Sequence, residues 1–118
     1  MKIYISHSRD FDYKKELYDV LESAGLNHEF IFPHKDSDAP FNTKELLQNK
    51  TCDMVLAEVS YPATGQGIEL GWANIYGIPI ICIYKKGSKI SGSLKLISKT
   101  FIEYENSNDL SNKLAENL

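Results

Sequence analysis

The sequence predicts an α/β domain built on a mostly parallel sheet. Three observations lead there. Apolar, β-branched runs alternate with stretches of helical spacing from one end of the 118 residues to the other. The central run, Cys52–Val59, is apolar on both faces, as expected for a strand in a sheet covered on both sides. The glycine cluster "TGQGIELG" falls between that run and the next one, "IPIICIY".

In chain order, Lys2–Ser6 ("KIYIS") is short, β-branched and aromatic, and reads as the first strand. Tyr13, Leu17, Val20, Leu21 and Ala24 then recur at helical spacing, with Asp10 as the expected N-cap and Gly25 as the stop. His28–Phe32 is a weaker second strand. The prolines, aspartates and asparagine of "PHKDSDAPFN" mark a loop. Asn42 with Glu45 three residues on has the form of a capping box opening a short helix to about Asn49. Cys52–Val59 is the third strand, and the glycine-rich stretch starts a helix to about Tyr76. Gly71 inside that helix implies close packing on the sheet. Pro79–Tyr84 and Thr100–Tyr104 are the fourth and fifth strands. Ser107 caps a last helix that turns Leu110 and Leu114 inward.

One domain over residues 1–118 is expected, with helices on both faces of the sheet. Five strands favour the flavodoxin-like order 2-1-3-4-5, whose ligand crevice lies beyond the C-terminal ends of strands 1 and 3. The loops that emerge there are "SHSRD" and "SYPATGQG".

Composition excludes several classes. Hydrophobic residues make up 42% and charged residues 25%, an ordinary globular balance. A net charge of −3 with interspersed signs gives no footprint for nucleic acid. No apolar run reaches the length of a membrane span. The N-terminus is too quickly interrupted by Ser6, His7 and Arg9 to be a signal peptide. Cys52 and Cys82 sit in apolar runs and read as buried free thiols of a cytoplasmic protein. No Cys/His spacing suggests a metal site, and no cofactor is expected.

Gly65 and Gly67, placed between strand and helix, let backbone amides approach a ligand. Glu69 then falls in the first helical turn, where the helix dipole favours the ionised carboxylate. A carboxylate there either complements the dipole or serves as a nucleophile on a sugar carbon. Spacing alone leaves both open.

Asp53, Pro62, Gly65, Gly67, Glu69, Leu70, Gly71 and Ala73 together resemble the signature of the nucleoside 2-deoxyribosyltransferase superfamily, which includes deoxynucleoside 5′-monophosphate N-glycosidases. The resemblance implies that Glu69 attacks C1′ of a (deoxy)ribosyl group as the base leaves, through a covalent glycosyl-enzyme. It implies that Tyr4 orients that carboxylate or contacts the sugar, Ser8 binds a phosphate, and Ser93 completes the site of a neighbouring subunit in a homodimer or higher homo-oligomer. Glu45 stands near the place of a family aspartate that acts on the base or sugar, although the capping box explains it equally.

Ser6, His7 and Arg9 lie in the phosphate loop, and Ser60, Pro62, Ala63 and Thr64 lie in the loop before the nucleophile. Ala63 stands where the family has Asp or Ser, and His7 and Asp10 stand where the monophosphate hydrolases have Gly and Arg. Trp72 reads as core, Glu58 as a residue that positions the loop, and His34 as a loop residue. The expectation is therefore an enzyme that cleaves the N-glycosidic bond of a nucleoside or its 5′-monophosphate, by hydrolysis or by transfer to a second base. A non-catalytic nucleotide-binding module is the alternative, and an NAD glycohydrolase ranks third.

Overall fold

The computed structural model describes residues 1–118. Five strands, β1 (Lys2–His7), β2 (Glu29–Ile31), β3 (Met54–Glu58), β4 (Ile80–Lys85) and β5 (Thr100–Tyr104), form one sheet in the order β2-β1-β3-β4-β5. Every neighbouring pair is parallel, with Tyr4 opposite Val55 and Ala57 opposite Cys82. The predicted fold class and strand order are therefore observed.

Strand alternation divides the core between two faces. Ile3, Ile5, Met54, Leu56, Ile83 and Ile102 point to one face, where they meet Leu17 and Leu21 of the first helix and Leu110 and Leu114 of the last. Tyr4, Val55, Ala57 and Cys82 point to the other, against Leu47 of α2 (Thr43–Gln48) and Leu70 and Ala73 of α3 (Thr64–Ile75). Helix α1 comprises Lys14–Tyr18 and Asp19–Ser23, and α4 is Ser107–Asn117.

The structure corrects several details. Asp10 does not cap α1. Its N–H is held by Ser8 Oγ at 3.0 Å in a tight turn, and Asp12 takes its place, with its carbonyl accepting from Glu16 N–H. The opening turn of α1 is π-helical, and this wider spacing lets Tyr13 and Tyr18, five residues apart, face the same neighbour. Asn106, one residue before Ser107, caps α4 by accepting from Asp109 N–H at 2.9 Å. A 3₁₀ turn over Gly92–Leu96, not foreseen, lies between β4 and β5. Gly25 ends α1 with φ +69°, the left-handed conformation that a side chain would resist.

Helix α3 begins at Thr64, with extended Ala63 before it, so Gly65 and Gly67 lie inside the first turn and Glu69 in the second. The dipole argument for Glu69 is weakened accordingly. The expected crowding at Gly71 is also absent: a Cβ at Gly65, Gly67 or Gly71 would meet no atom within 4 Å. The three glycines open space rather than permit close packing.

No helix is long and apolar enough to cross a membrane.

Candidate active site

Alternation along β1 decides what the site contains. Tyr4 and Ser6 point to the face that carries α2 and α3, where Glu69 waits on α3. Ser6 Oγ donates to Glu69 Oε2 at 3.0 Å, and Tyr4 OH lies 3.3 Å from Oε1. Thr43, the first residue of α2, brings its Oγ1 within 3.3 Å of the same Oε1 and 2.8 Å of Tyr4 OH. Two proton arrangements satisfy the triangle: one hydroxyl donates to Oε1 and accepts from the other, in either order. The carboxylate is thus held by three hydroxyls from two elements, β1 and α2.

Burial raises the Glu69 carboxyl above its ordinary value of 4.5, against the hydrogen bonds from Ser6, Tyr4 and Thr43 and the charge of Arg9, which all lower it. Burial likewise pushes the Tyr4 phenol far above its usual range, so it remains a donor.

Glu69 faces a crevice of about 470 Å³, within the range of small-ligand sites. Ser8, Arg9 and Asp10 form its β1 side, Gly65 and Gln66 its α3 side, and Pro40 and Phe41 of the β2–α2 loop the third. Ser8 is buried, and its oxygen accepts the Asp10 N–H, which leaves its own proton free to donate. Arg9 Nη2 lies 3.1 Å from both ring nitrogens of His34 and donates to the Asp38 carbonyl. His34 is therefore not a plain loop residue but a buried partner of Arg9, its imidazole kept neutral by burial and by that cation.

His7 departs from expectation. Ile5 and His7 share the face opposite Ser6, so its ring turns toward α1, although it still borders the crevice. It stacks on Tyr13 at 4.3 Å, donates from Nδ1 to the Ser8 carbonyl and accepts from Tyr18 OH at Nε2. Tyr18 in turn accepts the His34 N–H. Burial holds the imidazole down to about 4, so His7 is neutral at physiological pH and brings no charge to a phosphate.

Ser60 is also withdrawn. Its N–H and hydroxyl both donate to the Glu58 carboxylate, at 2.6 and 3.1 Å, and its oxygen accepts the Lys85 N–H. Glu58 is 1% exposed and also accepts from Tyr104 OH. Glu45 stays outside the crevice: it is exposed, its N–H donates to Asn42 Oδ1 as in a capping box, and its carboxylate accepts from the Asn42 side-chain Nδ2 at 2.7 Å.

Pro62, Ala63, Thr64 and Gly67 line a second cavity of about 490 Å³, closed on its far side by Ser93, Leu94 and Ile97. Ala63 and Gln66 belong to both cavities. Ser93 of the same chain thus faces the loop before α3 rather than Glu69.

Behind the crevice, the loops after β1 and β3 are clasped together. Phe11 stacks on Tyr61 with ring centroids 5.0 Å apart, and Lys85 Nζ sits 5.3 Å from each centroid. The ammonium also binds Tyr61 OH and the Glu16 carboxylate.

The sequence reading missed Thr43, Phe41, Gln66 and His34 as site residues. A hydroxyl immediately after a helix cap was the one available signal for Thr43. Trp72 is half-buried, packing on the core yet bordering the crevice with one edge. No group of three or more His, Cys, Asp or Glu side chains is placed to hold a metal ion.

No protein-family model matches the chain. A protein of Syntrophotalea carbinolica named "Putative 2'-deoxynucleoside 5'-phosphate N-hydrolase 1" is 26% identical over 126 aligned positions, covering 93% of this chain and 89% of that one. Among solved structures, a Clostridium botulinum CMP N-glycosidase superposes with a TM-score of 0.70 over all of both chains, at 23% identity. That likeness is one of fold. The resemblance to the nucleoside 2-deoxyribosyltransferase superfamily read from Asp53 to Ala73 agrees with the sequence relative, whose alignment covers 93% of the chain, and the fold neighbour shares the architecture.

Proposed function

We infer that this protein cleaves the N-glycosidic bond of a nucleotide, with Glu69 as the nucleophile. The observation that carries the reading is the Glu69 carboxylate itself: half-buried, held by Ser6, Tyr4 and Thr43, and facing an open crevice. A desolvated carboxylate fixed in direction by neutral donors is suited to attack at a carbon that develops positive charge. The names of the sequence relative and the fold neighbour, both enzymes of nucleotide N-glycosidic bonds, support it.

In the first step a Glu69 oxygen bonds to C1′, and the C1′–N bond breaks with its electron pair going to the base. In the second, water attacks C1′, frees the carboxylate and gives up a proton equivalent to the one the base takes. A second base in place of water makes the reaction a transfer. Tyr4 and Ser6 keep the carboxylate oriented throughout.

A 5′-phosphate is accommodated at the β1 side. Ser8 has a free hydroxyl proton and Arg9 a fixed positive charge. The N–H groups of Thr64, Gly65 and Gln66 precede the first helical bond of α3, from Gly67 N–H to the Ala63 carbonyl. Ala63 offers no side-chain cap, so those amides are available to an anion. Neither Glu45 nor His7 contributes as placed.

The test is chromatographic detection of free base from nucleosides, their 5′-monophosphates and NAD, with and without an added second base. Monophosphates are expected to release base fastest. Tight nucleotide binding without any turnover would instead make the protein a binding module, and a new nucleoside formed with added base would make it a transferase.

The acid limb of the rate profile is a second check. Because Glu69 acts as the anion and its carboxyl is raised by burial, kcat/KM is expected to climb through a pKa above 4.5 as pH rises. Ser6→Ala removes a donor to the charged form, so the limb is expected to move to still higher pH. A limb that stays in place in Ser6→Ala would mean that the titrating group is not Glu69.

A further inference from the structure

Gln66 forms the wall shared by the two cavities. Its side chain is 6% exposed and borders both. Nε2 donates to the Glu58 main-chain carbonyl at 2.8 Å. A carbonyl only accepts, so this bond fixes which end of the amide carries nitrogen. Oε1 has no protein donor. No side-chain nitrogen or oxygen that is sealed from solvent lacks a partner, so Oε1 opens onto cavity space. The result is a buried amide tethered at one end, with a bare acceptor in the wall between the two cavities.

Gln66 lies three residues before Glu69 on α3, a spacing that makes the two side chains neighbours on one helix face. An acceptor there repels phosphate oxygens and suits a donor on the substrate. Stereochemistry identifies one. In a β-nucleotide the base leaves from one face of the sugar, so the carboxylate has to approach from the other. In ribose the 2′- and 3′-hydroxyls lie on that same approached face, and the 2′-hydroxyl sits on the carbon adjoining C1′.

We propose that Gln66 Oε1 accepts a hydrogen bond from the 2′-hydroxyl and thereby selects ribonucleotides over 2′-deoxyribonucleotides. The proposal rests on the reading of Glu69 as the nucleophile at C1′. With a deoxy substrate the acceptor faces a C–H group and stays unpaired in a partly dry site, which costs roughly the tenfold that one neutral hydrogen bond is worth.

The test compares matched ribo- and 2′-deoxyribonucleoside 5′-monophosphates in two ways: base release by the wild type, and calorimetric binding to Glu69→Gln. Each is repeated with Gln66→Met, which keeps the length of the side chain and removes its acceptor. A ribo preference of about tenfold is expected, falling toward one in Gln66→Met. The wild-type ratio needs no variant, so it decides the matter even if Gln66→Met fails to fold. Equal treatment of the two sugars, a deoxy preference, or a ratio unaltered by Gln66→Met in a folded protein would overturn the assignment. The two readings fail separately. A Gln66-dependent binding ratio without any turnover removes the nucleophile and keeps the selector, whereas Glu69-dependent turnover with a flat ratio does the opposite.

Discussion

Glu69→Gln is expected to lower base release by at least about a thousandfold, the scale of losing a covalent nucleophile, while making the protein more stable at neutral pH. The substitution keeps the shape of the side chain and an acceptor oxygen for Tyr4 or Ser6, and removes only the charge. Because burial raises the Glu69 carboxyl, the fold favours its protonated form. The stability that this group contributes is present below its ordinary pKa and is lost as pH rises through the raised one. The ionised wild type therefore carries a cost at pH 7 that the amide lacks. A gain on the order of 1 kcal/mol, or about 3 °C in melting temperature, is expected. The gain shrinks as the pH is lowered below the usual glutamate range. Calorimetric melts at pH 7 and pH 4 measure it. A variant less stable than wild type at pH 7 would show that the three hydroxyls compensate the charge fully.

Glu58→Ala has the opposite character. Its carboxylate is buried on the α1/α4 face, where it accepts from the Ser60 N–H, the Ser60 hydroxyl and Tyr104 OH. Truncation leaves these donors unpaired at the junction of β3, its following loop and β5. A loss of about 3 kcal/mol or more is expected, with the melting temperature lower by roughly 10 °C. Glu58→Gln, which retains one acceptor oxygen, is expected to lose markedly less. Thermal unfolding followed by circular dichroism distinguishes the two, and a loss under about 1 kcal/mol in Glu58→Ala would mean that the loop holds its shape without this anchor.

Much of the fold was legible because its causes are local. The continuous apolar run at 54–57, the stop at Gly25 and the Asn42–Glu45 box each act over a few residues, and all three are observed. The start of α3 was misjudged because glycines read as loop, whereas here they stay helical with open space beside them. Tyr4 and Ser6 reach Glu69 together because they are two apart on a strand. His7 fails by the same rule, since one further residue puts it on the other face. Thr43 had only its place after a helix cap to mark it, and His34 had nothing. Their roles depend on how the β2–α2 connection folds back over the crevice, and no periodicity encodes that path.

The clasp of Phe11, Tyr61 and Lys85 gives the crevice one rigid jaw and one replaceable jaw. Separating the loops after β1 and β3 would unstack two rings and break up the cage of Phe11, Tyr61 and Glu16 around the Lys85 ammonium. Residues 33–40 carry no comparable lock; their ties to the rigid side run through the Arg9 guanidinium, the Tyr18 hydroxyl, an exposed Lys35–Glu22 ion pair and the edge of the His34 ring. Sequence drift in that segment leaves the direct holders of Glu69, on β1 and at the start of α2, untouched. The molecule is therefore divided into a framework and a trim: the Glu69 carboxylate is set by the sheet and the helices packed on it, while the outer wall of the crevice depends on one surface loop.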